Sequence, residues 1–428
     1  MSELKYIKGK EDVKILFLSN SVYAPSGYGV QSNGMLYDWL KHGYNVRQLA
    51  HYGLQGRMIG LNGLMIYPAL EGDIHGNNTA NLIFKNWKPD IFFTLYDIWM
   101  GAYVNKPSPD APPETWQPIH PRWIPVIMVD HDPVPQATVH NAMNAYKPIS
   151  PTKWGKEQLE SQGIQTEYIP FGINTKIWRP VKGVEEKQEL KRNLHKRSVP
   201  ISDRRAVINE DTFLIHINGA NKDPYRKAFM RAFIALQMFF MDNPDAESDV
   251  RIYIHTWMKF ARDIPHGAKV LQVDWACKGA SDYHMLCGVP EEEMAKIARS
   301  ADLFIHPTQG GGFEIPVMEA MASGVPVAAT DFVGLPELVG DGGWLIKKKT
   351  SYFSPLDSTQ AIADEYDLKD IIEKAYNSSP DKLRKIGAKG RKHVEKNYDW
   401  KLVNPMYRCL IDEVIDEMKY KPLEERRV

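Results

Sequence analysis

The 428-residue sequence predicts an α/β chain built as two doubly wound halves. Three observations carry this. Short apolar runs suited to buried parallel strands alternate with helix-like segments over most of the chain. The alternation breaks off in a highly charged stretch over 181–210 and then resumes. Glycine-rich or prolyl loops follow several of the runs, at the strand ends where open α/β sheets hold ligands.

The first run is VKILFLS (13–19), followed by the loop NSVYAPSGYG. VQSNGMLYDWLKHG (30–43) reads as a helix, with Met35, Leu36, Trp39 and Leu40 on one face and Gly43 as its stop. YNVRQLA, DIFFTL (90–95), PVIMVD (125–130), KPIS (147–150) and TEYIPF (166–171) follow as strands, and TKWGKEQLESQG (152–163) as a helix. The proline-rich segment 101–123 is an irregular excursion. The second series is FLIHING (213–219), VRIYIHT (250–256), KVLQVD (269–274), LFIHPT (303–308), PVAATD (326–331) and GWLIK (343–347), with EEEMAKIARSA (291–301) as a helix. The predicted division is 1–180, 181–398 and a closing helix within 399–428 that packs back toward the first half.

Composition narrows the function. Lysine plus arginine equals aspartate plus glutamate, 53 each, so no overall charge favours nucleic acid or an anionic membrane. The basic stretch KRNLHKR (191–197) lacks interleaved aromatics and reads as a solvated helix. Cys277, Cys287 and Cys409 are too few and too scattered for a disulfide framework or a cysteine metal site. The start lacks a signal peptide's apolar core, and AFIALQMFFM (232–241), interrupted by Gln237, reads as a buried helix. A cytoplasmic protein without a membrane segment is expected.

Four loops are candidates for chemistry. TQGGGFEIPVMEAM (308–321) joins a strand to a helix whose first turn holds Pro316 and whose stop is Gly324. Its glycines admit a ligand close to the backbone, and the helix N-terminus favours negative charge. Glu319 is suited to accept from vicinal ribose hydroxyls; otherwise it is a solvated acid. No Gly-Lys-Ser/Thr follows, so this is not a nucleotide-hydrolase phosphate loop. NGANKDPYRKAF (218–229) offers Arg226 and Lys227 to a leaving diphosphate, or is a solvated turn. PSGYGVQ (25–31) has Gly27 and Gly29 but Ser32 where a dinucleotide fingerprint wants glycine. VDHDPVP (129–135) contains Asp130, His131 and Asp132: a metal site, an acid–base histidine, or a histidine satisfied by its neighbours.

Together these motifs resemble the family-four retaining glycosyltransferases. The strongest part is ADLFIHPTQGGGFEIPVMEAMASGVPVAATDFVGLPELV (301–339), similar to that family's donor signature of two glutamates with seven residues between them. IPFGINTKIWRP, the Arg-Lys turn and the C-terminal helix extend the resemblance over nearly the whole chain. It implies two Rossmann-like domains facing across a cleft, the GT-B fold. It implies transfer of a sugar from a nucleoside diphosphate sugar to an acceptor hydroxyl with retention. Arg226, Lys227 and a helix N-terminus would stabilise the departing diphosphate, so neither cofactor nor metal is expected. A metal at Asp130 and Asp132 is the alternative within the enzyme class; a nucleotide-sugar-binding protein with little catalysis is the alternative outside it. The acceptor is unassigned: a glycan, a lipid, a small metabolite, a protein or a hydroxylated DNA base, with nucleic acid possible but not favoured.

Carried over, Glu319 matches the ribose-binding glutamate, and Arg226 and Lys227 the diphosphate cations. Phe313, Glu314 and Ile315, with Gly312, match the segment that reaches the donor sugar. His131 matches a histidine near the reacting centre, and Gly27 and Gly29 a loop that meets the diphosphate. Asn221 stands where a second arginine is common. Gly311 stands where the family has its first glutamate; either Glu314 takes over part of that role, or the donor sugar lacks the usual hydroxyl partner.

Overall fold

The computed structural model describes residues 9–98, 104–105, 112, 117–197, 199–200, 208–220, 225–257, 275–280 and 289–420. The expected strand KVLQVD and the candidate donor residue Asn221 lie outside these. The chain forms two units. One comprises Met1–Val129, Val134–Gly172 and Trp400–Val428; the other comprises Asp130–Pro133 and Ile173–Asp399.

This division differs from the expected one in two places. It falls after Gly172 rather than Pro180, because Ile173 N donates to the Tyr398 carbonyl (2.7 Å) and Trp178 Nε1 donates to Glu291 (2.8 Å). Asp130–Pro133 goes with the second unit because Asp132 exchanges hydrogen bonds with Thr359. Asp132 N donates to its carbonyl (3.0 Å), and Thr359 Oγ1 donates back to the Asp132 carbonyl (2.6 Å).

The first unit contains β1 (Lys14–Asn20), α1 (Gly27–Lys41), β2 (Asn45–Tyr52), β3 (Ile59–Leu61), β4 (Leu64–Pro68), α2 (Asn77–Asn86) and β5 (Ile91–Leu95). Then come β6 (Val104–Asn105), β7 (Gln117–Pro118), β8 (Trp123–Val126), α3 (Gln136–Ala142), β9 (Ile149–Ser150), α4 (Lys153–Ser161) and β10 (Glu167–Tyr168). Eight strands form one sheet in the order β10-β9-β8-β5-β1-β2-β4-β3, parallel except at β3. Ile15–Leu18 and Ile91–Phe93 are fully buried, as central parallel strands require. Strand β8 begins earlier than PVIMVD suggested, because Trp123 pairs with Phe92 and its Nε1 donates to Thr94 (3.0 Å).

The C-terminal helix, Trp400–Tyr420, belongs to this unit and packs on α1. Tyr407 lies 6.4 Å from Trp39 between ring centroids, Tyr44 donates to Asp412 (2.7 Å), and Arg408 pairs with Asp38. The Trp400 indole fills the space left by two glycines. A Cβ on Gly34 would stand 2.5 Å from its Cε2, and one on Gly172 2.6 Å from the same atom.

The second unit runs α5 (Val184–Arg197), β11 (Val199–Pro200), β12 (Phe213–Asn218), α6 (Phe229–Asp242), β13 (Val250–Trp257), β14 (Trp275–Ala280), α7 (Glu291–Ser300) and β15 (Leu303–His306). It continues with α8 (Ile315–Ala322), β16 (Val327–Thr330), α9 (Leu335–Val339), β17 (Gly343–Ile346), β18 (Lys348–Ser354), β19 (Ser358–Ala363), α10 (Glu365–Tyr376) and α11 (Pro380–Asn397). Its sheet order is β11-β14-β13-β12-β15-β16-β17, parallel except at β11. Helix α6 is the expected apolar helix: Phe233, Leu236 and Phe239 are fully buried, each contributing about 1.5–3 kcal/mol. The order reverses direction between β12 and β15. The loops leaving these two strands therefore diverge at a topological switch point, where such sheets bind ligands. The β18–β19 hairpin was not anticipated. Among the described residues, no helix is long and apolar enough to cross a membrane.

Candidate functional site

The loops leaving β12 and β15 are tied together through one carbonyl. The Arg226 carbonyl accepts from Gln309 N (2.9 Å) and Thr308 Oγ1 (3.0 Å). Thr330 Oγ1 in turn donates to the Thr308 carbonyl (2.7 Å). The glycine loop is thus bonded both to the Arg-Lys turn and to the end of β16. Ala228, which follows Lys227 and caps α6, has φ of 49°, a left-handed conformation that a non-glycine residue holds at a cost of about 1–3 kcal/mol.

Lys227 is turned inward. Its Nζ donates to both carboxylate oxygens of Glu314, at 2.8 and 2.7 Å. His306, the last residue of β15, bonds through Nε2 to Oε2 of the same carboxylate at 2.9 Å. All three side chains are buried, at 9%, 7% and 3% exposure. Burial pushes the Lys227 ammonium down to about 8, against the upward pull of Glu314. Burial pushes the Glu314 carboxyl up, but Lys227 and then His306 more than offset it, so Glu314 stays ionised. Burial also lowers His306, keeping it a neutral donor in this environment.

Gly311 lies directly against this network. A Cβ there would stand 2.5 Å from Cγ and 2.7 Å from Cδ of Glu314, and closer still to Oε1. The carboxylate of Glu314 therefore occupies the space that a side chain at 311 would need. Gly310 has a separate constraint: a Cβ there would overlap the Asp130 carbonyl. That contact sets the glycine loop against the segment carrying His131. His131 is buried and its Nδ1 lies 2.7 Å from Oδ1 of Asp130. A donating Nδ1 leaves Nε2 with the lone pair.

The β18–β19 hairpin fastens both loops. Ala361 N donates to the Gln309 carbonyl (2.7 Å), while Ser358 Oγ donates to the Pro133 carbonyl, alongside the Thr359–Asp132 exchange. Among the described residues, no group of three His, Cys, Asp or Glu side chains gathers to hold a metal ion.

The remaining predicted residues fall as follows. Glu314 caps α8, Ile315 begins it, and Glu319 lies on it. Gly312, Phe313 and Ile315 are buried, and Phe313 sits edge-on to Tyr398 with centroids 5.7 Å apart. Glu319 is half-buried; its carbonyl accepts from Ser323 N (3.0 Å), and its carboxylate has no hydrogen bond among the described residues. Burial and the neighbouring Glu291 raise its carboxyl well above the usual range. Gly27 and Gly29 belong to the first unit, at the start of α1, where Gly29 N donates to the capping Ser26 (3.1 Å). A Cβ on Gly29 would overlap the Ala24 carbonyl, so this glycine is required by local packing. The structure thus brings Arg226, Lys227, Gly311 and Glu314 into one network, with Asp130–His131 against Gly310. Sequence reasoning missed His306, Gly310 and the hairpin. The signal for His306 was a polar residue ending the apolar strand LFIHPT.

Residues 261–366 match the model of the family described as Glycosyl transferases group 1. The MMP alpha-(1->4)-mannosyltransferase of Mycolicibacterium hassiacum is 25% identical over 240 residues, 56% of this chain and 46% of that protein. The chain spans about half the length of the curated relatives it matches most extensively. Among solved structures, sucrose-phosphate synthase from Thermosynechococcus elongatus superposes with TM-score 0.68 at 13% identity, covering 94% of this chain and 99% of that one. Anabaena HepE in complex with UDP-glucose gives 0.64 at 13% identity, covering 94% and 99%. The protein has the GT-B fold, and its residues 261–366 match the model of the family described as Glycosyl transferases group 1.

Proposed function

We propose that the protein transfers a hexosyl group from a nucleoside diphosphate sugar to an acceptor hydroxyl, with retention of anomeric configuration and without a metal. The observation that carries this reading is the bonding of the Arg226–Lys227 turn to the glycine loop that leads into α8. Peptide N–H groups at the start of α8 and the Arg226 guanidinium supply positive potential for a departing diphosphate. Glu319, on the same helix and with no hydrogen bond to its carboxylate among the described residues, is suited to the ribose hydroxyls. His131, buried with its Nδ1 beside Asp130 Oδ1, is the group suited to a hydroxyl at the reacting carbon.

The relatives support a hexose: one is named a mannosyltransferase, and one solved structure holds UDP-glucose. The test is a panel of nucleoside diphosphate sugars, scored by thermal shift and by release of diphosphate, with the product anomer read by NMR. Release that survives a chelator supports a metal-free site. Binding without any release, with or without acceptors, would favour a nucleotide-sugar-binding role instead; the absence of an acid at Gly311 is the feature that points that way.

A further inference from the structure

The chain's charges balance overall, but α11 concentrates one sign. It carries seven lysine or arginine residues and two acids. Lys382, Lys385, Lys389, Lys392 and Lys396 recur at alternating steps of three and four, and all five are exposed. At about 100° per residue they fall within about 80° of one another, in one straight stripe about 21 Å long. The opposite face anchors the helix. Leu383, Gly387, Gly390 and Val394 are buried, and a Cβ on Gly387 would overlap the Gly324 carbonyl. Arg391 donates to the carbonyls of Ala322 (2.8 Å) and Thr175 (2.9 Å). The stripe is therefore held on a rigid element.

None of the five ammonium groups has an ion pair or hydrogen bond among the described residues, whereas Arg384 pairs with Asp381 and Arg391 with Glu395 (2.7 Å) on the same helix. The stripe also works against folding. Like charges three and four residues apart repel along a helix, and Lys382 stands in the first turn, where the dipole disfavours a cation. An external partner of opposite charge removes that repulsion. We infer that the lysine stripe of α11 docks on the headgroups of an anionic lipid bilayer. A straight, exposed row meets a flat surface along its whole length, and a lysine ammonium binds mobile headgroups as a point charge. No apolar side chain lies in the stripe, so attachment is electrostatic and without insertion. Nucleic acid fits less well. Helix α11 has no Phe, Tyr or Trp to stack on a base, and both its arginines are held by acids. The surface uses none of the residues of the proposed transfer site and does not depend on that reading.

The test is sedimentation of the full chain with phosphatidylcholine vesicles, with and without about 30% phosphatidylserine. Wild type should bind the anionic vesicles at about 0.05 M salt, release at about 0.5 M, and ignore pure phosphatidylcholine. One lysine near such a surface is worth about a fivefold change in partition, so the triple variant Lys385→Gln, Lys389→Gln, Lys392→Gln should bind about a hundredfold more weakly. A second triple variant, Lys41→Gln, Lys85→Gln, Lys182→Gln, removes the same charge from exposed lysines elsewhere and should lose less than about fivefold. Equal weakening of the two, or no binding by wild type, overturns the inference. So does stripe-dependent binding to a short DNA duplex that is tighter than binding to the anionic vesicles at the same salt, which would make nucleic acid the partner. If the stripe variant does not fold by circular dichroism, Lys389→Gln and Lys41→Gln carry the comparison. The first should then lose about fivefold and the second nothing measurable, and equal effects overturn the inference.

Discussion

Gly311 and Glu314 compete for one space: the carboxylate of Glu314 sits where the first side-chain atom of residue 311 would be. Because Lys227 and His306 hold that carboxylate, it has no low-cost way to step aside. Gly311→Ala should therefore push Glu314 off its partners, leaving a buried ammonium and carboxylate poorly paired. We expect a loss of about 2–4 kcal/mol in stability. Adding Glu314→Ala should cost much less than the sum of the two single changes, since the clash is then gone. A double-mutant cycle in urea checks this; additive losses within about 0.5 kcal/mol would show that the two residues do not share the space.

Glu319 should trade stability for binding. Its carboxyl is held well above the usual range by burial and by Glu291. Above about pH 4.3 the unfolded chain gives up this proton while the native protein keeps it, so stability falls as pH rises toward the folded value. Glu319→Gln removes that penalty. At pH 7 its Tm should rise by about 2–4 °C and its pH dependence should flatten, while affinity for UDP or GDP falls. A variant that is destabilised at pH 7 contradicts this account of the glutamate.

Much of this was legible beforehand because buried parallel strands leave a plain mark. VKILFLS, DIFFTL, FLIHING and LFIHPT are apolar on both faces and stand in the sheets as expected. The same logic locates the loops at their ends, including the glycine loop and Arg226–Lys227. The sequence could not show what the side chains do there. Lys227 and Glu314 lie 87 positions apart, and nothing in either local pattern says that one points at the other. The hairpin after β17 was hidden for a related reason. KKTSYFS and STQAIA form a two-stranded sheet of their own, and β18 is largely exposed, so no apolar run marks them.

Asp302 supports the second sheet from below. It pairs with Lys187 (2.6 Å) and Lys191 (2.8 Å) on α5 and accepts from Leu214 N (2.8 Å) on β12. Burial pushes its carboxyl up, but the two lysines more than offset this and the net shift is downward. Its stabilising contribution is thus full above about pH 4, the unfolded value, and is lost as pH falls through the lower folded value. Asp302→Asn leaves the buried Lys191 ammonium with the Thr212 carbonyl but no carboxylate, and should cost about 3–5 kcal/mol at pH 7. The gap between variant and wild type should narrow below pH about 4. A pH-independent difference in acid and neutral urea titrations would rule out this ion pair as the cause.

Gly34 sets two effects against each other. It lies inside α1, where replacing glycine by alanine ordinarily gains about 0.5–1 kcal/mol of helix stability. Here the new methyl would meet the Trp400 indole at 2.5 Å from Cε2, in contact with a large rigid ring rather than a flexible tip. Overpacking of that kind costs about 1–3 kcal/mol, so packing outweighs propensity and Gly34→Ala should be net destabilising. The damage should appear where Trp400 begins the C-terminal helix, as faster proteolytic removal of that helix and a lower urea midpoint. Trp400→Leu, which shortens the opposing side chain, should reverse the sign: in that background the alanine at 34 is expected to stabilise. If Gly34→Ala lowers the midpoint equally in both backgrounds, the conflict lies within α1 and not with the indole.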